Sequence, residues 1–167
     1  PENNNFDHHQ FPRDHKPTCA LSLILQHLGM YEDAQMFCDW LEPAEWFDCR
    51  GPQKTAEWLG VPREVVGKLN SPIDISMLRR FAKITPDSEL HAGDPIYELM
   101  CYIGGDLLEY LKSVRNKLDS ISAHVERWEV TSGGECFDVL FLPRTESTMV
   151  DASGSLARYI MVNELHE

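Results

Sequence analysis

The fold is decided by the stretch from Asp94 to Trp128, which reads DPIYELMCYIGGDLLEYLKSVRNKLDSISAHVERW. Its apolar residues recur at spacings of three and four, the period of one helix face. These residues are Ile96, Met100, Ile103, Leu107, Leu111, Val114, Leu118, Ile121 and Val125. Asp94 suits an N-cap and Pro95 suits a first turn. The pattern predicts one amphipathic helix from about 94 to 128, roughly 50 Å long at 1.5 Å per residue.

Shorter helices are predicted on the N-terminal side of this stretch. The apolar run from Thr18 to Leu28 is followed by Gly29, which is typical of a helix end and predicts a buried helix. Further helices are expected at about 32–41, 53–59, 62–69 and 74–84. The polar segment from Pro86 to Pro95 suits a boundary. We therefore expect two regions, residues 1–90 and residues 91–167.

The C-terminal side of the long helix carries a hairpin pattern. Two strand-like runs, Arg127 to Thr131 and Cys136 to Leu142, flank the turn residues Ser132-Gly133-Gly134-Glu135. The last stretch, 155–165, suits either a helix or a strand, and a helix is favoured. The sequence thus predicts a mainly α fold with a small antiparallel β-hairpin, an α+β class.

Composition limits the possible functions. A chain of 167 residues with 43% hydrophobic content suits one globular domain or slightly more. Its formal net charge of −12 disfavours non-specific binding to nucleic-acid backbone, which depends on Lys and Arg neutralising phosphates. Five cysteines without a Cys-x-x-Cys pair support neither a disulfide framework nor a zinc ribbon.

We expect a cytoplasmic protein that does not associate with a membrane. The sequence contains no run of roughly 18 apolar residues and no basic-then-apolar leader. The chain starts at Pro1 and ends at Glu167 without an obvious stop in pattern. We therefore expect it to be part of a larger enzyme.

The segment Asp7-His8-His9 carries the strongest chemical signal. Carboxylates bind hard divalent ions and a neutral imidazole adds a further ligand, a combination that suits Mn, Mg or Zn. In an extended segment neighbouring side chains alternate, so His8 would face a metal while Asp7 and His9 orient it or contact substrate. The alternative interpretation of the tripeptide is a pair of surface histidines in a disordered tail.

A second candidate segment is Pro43-Ala44-Glu45-Trp46-Phe47-Asp48-Cys49-Arg50-Gly51-Pro52. It is short, aromatic and closed by Gly-Pro, which predicts a turn that presents Asp48 and Arg50. Functional residues are often carried by such loops. Asp39 is the alternative carboxylate, but it lies within a predicted helix.

Three pieces of the sequence together resemble the DHH phosphoesterase superfamily. They are the string Pro1-Glu2-Asn3-Asn4-Asn5-Phe6-Asp7-His8-His9-Gln10, the small-residue segment Pro17-Thr18-Cys19-Ala20, and the later Asp48. The string is most similar to that of the Myg-type exonucleases. The resemblance implies the C-terminal part of a DHH-type α/β domain followed by a connector helix.

The resemblance also implies a two-metal site, usually with Mn and possibly with Mg. Asp7, His8 and Asp48 would then be the metal ligands, and His9 would contact the substrate phosphate. Arg13 and Arg50, together with Lys16, would offset developing charge. The first two motifs of the family have no counterpart here, so the implied site is incomplete and this chain alone should bind metal weakly.

These observations lead to three functional hypotheses. The first is part of a metal-dependent phosphohydrolase that acts on a phosphate ester or nucleotide, and possibly on a short nucleic acid. The second is a helical interaction module without catalytic activity, which forms a homo-oligomer through the 94–128 helix. The third is a retained fold that has lost catalysis.

Overall fold

The predicted fold class is confirmed by a computed structural model, which is mostly helical with one two-stranded antiparallel hairpin. The structure describes residues 5–12, 14–68, 72–85, 87–145, 152–163 and 165. The elements are α1 (Ala20–His27), α2 (Tyr31–Phe37), α3 (Leu41–Leu59), α4 (Arg63–Gly67), α5 (Pro72–Phe81), α6 (Pro95–Ser122), β1 (Glu126–Ser132), β2 (Glu135–Phe141) and α7 (Ala152–Val162). The chain divides into two compact units, Pro1–Leu108 and Glu109–Glu167.

The helix predicted from the run at 18–28 is confirmed as α1. Leu25 is 1% exposed, and Gly29 follows the helix with a positive φ of 68°, which an L side chain rarely adopts. Helices α1, α2, α3 and α4 contact one another in chain order. They enclose a small core, which includes Leu25, Ala34, Phe37, Leu41, Ala56 and Val66.

The turn predicted at 43–52 is wrong. Pro43 does not end a helix but lies in the first turn of α3, where a missing N–H costs no hydrogen bond. Helix α3 continues through Asp48 and Arg50 and is kinked at Gly51, which has φ 76° and ψ 172°. Asp48 therefore lies on the helix three residues before its kink, and its position is fixed by the helix backbone.

The long helix is shorter than expected. Helix α6 has 28 residues, about 42 Å at 1.5 Å per residue, and ends at Ser122 instead of near Trp128. The carbonyl of Ile121, one of the last of the helix, accepts from the backbone N–H groups of His124 and Val125 at 2.8 and 3.0 Å, which closes the helix end. The residues after 125 pair as a strand, because the aromatic and β-branched residues there suit the hairpin.

The hydrophobic stripe of this helix is only partly buried. Leu111, Leu118 and Ile121 are at most 5% exposed, whereas Met100 and Ile103 are 42% and 47% exposed.

No helix among the described residues is both long enough and apolar enough to cross a membrane.

The predicted hairpin is confirmed by β1 and β2. Ser132 pairs with Glu135, so the connection has two residues, Gly133 and Gly134. Both have positive φ, 62° and 88°, as the tightest hairpin turns require. The final stretch forms a helix, α7, as the sequence favoured.

Candidate functional site

The Asp-His-His segment is not extended, contrary to expectation. His8–Gln10 forms one 3-10 turn, and Asp7 caps it by accepting a hydrogen bond from the backbone N–H of His9 at 2.9 Å. The turn replaces the alternation of an extended strand, so neighbouring side chains can converge. Asp7, His8 and His9 each offer a ligand atom, and these atoms lie within 4.8 Å of one another.

Asp7 is tied to His9 twice. Besides the backbone contact, its Oδ1 lies 2.8 Å from the Nδ1 of the His9 ring. The backbone N–H and the ring of His9 lower the pKa of the Asp7 carboxyl, because both donate to its charged form. Asp7 thereby fixes the His9 ring, which lies 4.1 Å from the ring of His8 between centroids.

The structure brings His8 next to Asp48 across forty positions of sequence. The Nδ1 atom of His8 lies 3.6 Å from Oδ2 of Asp48, and the side chain of His8 is only 9% exposed. Two donor atoms bound to one ion at about 2.1 Å lie roughly 3 Å apart. The observed separation is close to this value, so a small adjustment would let both side chains share one divalent cation.

These residues line a cleft of about 310 Å³ in the first unit. The cleft also contains two cationic side chains, Lys16 and Arg50. The Nη2 atom of Arg50 donates a hydrogen bond to the backbone carbonyl of His15. This bond ties the loop that carries Lys16 to helix α3, and it holds the guanidinium at the cleft.

Thr18 lines the same cleft and was missed as a functional candidate. It is 5% exposed, and its hydroxyl has no hydrogen-bond partner among the described residues. Leaving a buried polar group unpaired costs about 1–3 kcal/mol. For Thr18 the one signal in the sequence is the segment Pro17-Thr18-Cys19-Ala20, which by itself predicts only the start of a helix.

The remaining candidates are placed differently. Arg13 lies outside the described residues. Asp39, the alternative carboxylate, is exposed and is not among the side chains that line the cleft.

The donor set of the cleft fits one hard or borderline divalent ion. The imidazole of His8 and the carboxylate of Asp48 line the cleft, and Asp7, which does not line it, offers an oxygen within 4.8 Å of a ring nitrogen of His8. This mixture of ligands suits Mn or Mg. Two-metal centres use roughly five or six protein ligands. The described residues therefore account for about half of such a centre.

Comparison with known proteins identifies no relative. No family model matches the chain, and neither a curated protein nor a solved structure shows significant similarity to it. The assignment of function therefore depends on the chemistry of this cleft.

Proposed function

We propose that the chain forms part of the active site of a metal-dependent phosphohydrolase of the DHH type, with phosphodiesterase or exonuclease-like activity. The observation that carries this proposal is the 3.6 Å separation of His8 Nδ1 and Asp48 Oδ2. Two potential ligands forty positions apart meet at a cleft that also holds two cationic side chains. A carboxylate–imidazole pair beside cations suits the handling of a phosphate ester.

Asp7, His8 and Asp48 would hold the divalent ion, with Mn favoured and Mg as the alternative. When bound, such an ion polarises a phosphoryl group and lowers the pKa of a bound water. Asp7 also orients the ring of His9, through the 2.8 Å contact with Nδ1, and leaves Nε2 to face a phosphate oxygen. Arg50, held by the carbonyl of His15, offsets negative charge on the phosphate. Arg13 stays a prediction for the same role.

The proposed substrate is a phosphate ester or a short nucleotide. The cleft of about 310 Å³ suits a group of this size. The net charge of −12 works against a long nucleic acid, because most of the surface would repel its backbone.

The test is a Mn-dependent phosphodiesterase assay of the full-length protein with bis(p-nitrophenyl) phosphate. We expect His8→Ala and Asp48→Asn each to lower turnover by on the order of 100-fold, since each removes a metal ligand. Asp39→Asn is the matched control, because this carboxylate on the same unit lies outside the cleft. Wild-type turnover in both cleft variants would contradict the proposal.

A second candidate function is self-association through α6. It is favoured by the exposure of Met100, Tyr102 and Ile103, which are 42%, 67% and 47% exposed near the start of the helix. Apolar residues exposed at helical spacing suit pairing with a second copy. Light scattering should then give a dimer that Met100→Glu combined with Ile103→Glu converts to a monomer. A wild-type monomer at every concentration would contradict this function.

A further inference from the structure

Among the described residues two threonines are buried, and only one of their hydroxyls has a hydrogen-bond partner. Thr55 is 2% exposed, and its Oγ1 donates to the carbonyl of Gly51 at 2.9 Å. Thr18 is 5% exposed, and its Oγ1 has no partner among the described residues. Buried hydroxyls in folded proteins are nearly always paired, so the exception at Thr18 requires an explanation.

The position of Thr18 suggests what its partner would be. It lines the cleft together with the cationic side chains of Lys16 and Arg50 and the carboxylate of Asp48. It also lies two residues before Ala20, the first residue of α1. The N-terminus of an eight-residue helix adds partial positive charge and unpaired N–H groups at that end.

The cap of α1 does not consume these donors. Cys19 occupies the N-cap position and makes no side-chain hydrogen bond to the helix backbone. Its Sγ instead lies 3.3 Å from the hydroxyl of Ser22. The start of α1 therefore combines an uncapped helix terminus with a buried hydroxyl that has no partner among the described residues. Both belong to a cleft that is lined by two cationic side chains and one carboxylate, and helix N-termini are sites that bind oxyanions.

We propose that Thr18 forms a phosphate-binding subsite of the cleft, in which its hydroxyl donates a hydrogen bond to a phosphate oxygen. Lys16 and Arg50 balance the charge of the bound group. The identification of this phosphate as that of substrate or product rests on the proposed function, whereas the binding itself does not. The subsite thus selects substrates that place a phosphate oxygen beside α1.

The experiment is a calorimetric titration of the full-length protein with inorganic phosphate in metal-free buffer. Chloride at the same ionic strength is the blank for screening. We expect Thr18→Val, which keeps the shape and removes the hydroxyl, to weaken phosphate binding roughly tenfold or more, the value of a hydrogen bond to a charged group. Thr18→Ser should restore affinity to near the wild-type value.

Thr55→Val is the matched control for stability. It removes a paired hydroxyl and should raise the unfolding equilibrium constant in urea about fivefold, while phosphate affinity stays unchanged. Thr18→Val should leave the protein at least as stable in urea as the wild type, because it removes a buried hydroxyl that has no partner among the described residues. Unaltered phosphate affinity in Thr18→Val, or no phosphate binding by the wild type, would overturn the inference.

The two proposals fail separately. If phosphate binding depends on Thr18 but His8→Ala and Asp48→Asn keep wild-type turnover, the subsite stands and the hydrolase does not. If turnover depends on those two residues but phosphate affinity does not depend on Thr18, only the subsite is lost.

Discussion

We compare two contacts between a carboxylate and a basic side chain, one from each unit. The shorter contact is the one that is more exposed to water. On the hairpin, Arg127 Nη2 and Asp138 Oδ2 are 2.5 Å apart, with both side chains more than half exposed. In the cleft, His8 and Asp48 are 3.6 Å apart, but the side chain of His8 is 9% exposed. Water screens the shorter contact, and exposed pairs contribute about 0–1 kcal/mol. The cleft contact is shielded from water on the side of His8, whereas Asp48, which is 52% exposed, stays accessible to an ion.

The two contacts also arise differently. Arg127 and Asp138 are eleven positions apart, and the antiparallel register of one hairpin brings them together. His8 and Asp48 meet because the 3-10 turn is held against α3, partly by the hydrogen bond from Arg50 to the carbonyl of His15. Only the second contact depends on the packing of a whole unit.

The largest expected effect on the free energy of unfolding comes from truncating a buried leucine in either unit. Leu25→Ala and Leu111→Ala each remove a side chain that is at most 1% exposed, and each should lower the free energy of unfolding by about 2–5 kcal/mol. Because Leu25 anchors the helix that follows the cleft loop, only its variant should also weaken Mn binding. Urea unfolding and Mn titration by electron paramagnetic resonance measure the two effects. Equal Mn affinity in both variants would show that Mn binding does not depend on the core around Leu25.

The next effect is a difference in Mn affinity between variants of two carboxylates, Asp48 and Asp138. Asp48→Asn should lower Mn affinity by at least roughly tenfold, since an amide is a poorer ligand than a carboxylate. Asp138→Asn removes an equally exposed carboxylate, 56% against 52%, and should leave Mn affinity unchanged. The same titration compares the variants, and identical affinities would show that Asp48 does not bind the ion.

A third carboxylate contact tests how much burial increases the contribution of a hydrogen bond to stability. Tyr31 donates to Oε1 of Glu45 at 2.8 Å, and Glu45 is 1% exposed on α3. Tyr31→Phe leaves that oxygen without its donor and should lower the free energy of unfolding by about 1–3 kcal/mol. Tyr102→Phe, at a position that is 67% exposed, is the control and should change it little.

The same contact predicts a pH dependence. Burial, and then the hydrogen bond and charge of Glu45, raise the pKa of Tyr31 above its ordinary value of 10.0. The folded protein therefore holds the phenol proton after the unfolded chain has released it, so the stabilisation is complete below pH 10 and is lost as pH rises further. Urea midpoints of wild type and Tyr31→Phe should approach each other above that pH. A constant difference would contradict this assignment.

The smallest effect is expected at the hairpin pair. Arg127 lowers the pKa of Asp138 through a hydrogen bond and its charge, but both groups are exposed. Arg127→Ala should therefore shift the urea midpoint only slightly, and high salt should remove the difference. A double-mutant cycle with Asp138→Ala isolates the pair. A coupling as large as that of Tyr31 with Glu45 would show that exposure is not what separates the two regions.

Local structure was largely predictable because it depends on nearby residues. The run at 18–28 predicted α1, and Gly133-Gly134 between two strand-like runs predicted the hairpin, since apolar period and turn chemistry act within a few residues. The predictions failed where one residue had two possible roles. Pro43 can end a helix or begin one, and Gly51 can close a loop or kink a helix. The residues around Trp128 suited both a helix face and a strand, and cross-strand pairing decided for the strand.

By itself the sequence determined the mainly helical fold, the hairpin, the acidic charge and the candidate side chains Asp7, His8, His9 and Asp48. Only the tertiary structure decided that His8 lies beside Asp48, that Arg50 holds the loop, and that Thr18 is buried without a partner. The physical reason is the range of the interactions. Backbone hydrogen bonding in helices and hairpins is satisfied within a few residues, whereas the partner of a buried polar side chain is chosen by packing between segments that are distant in the chain.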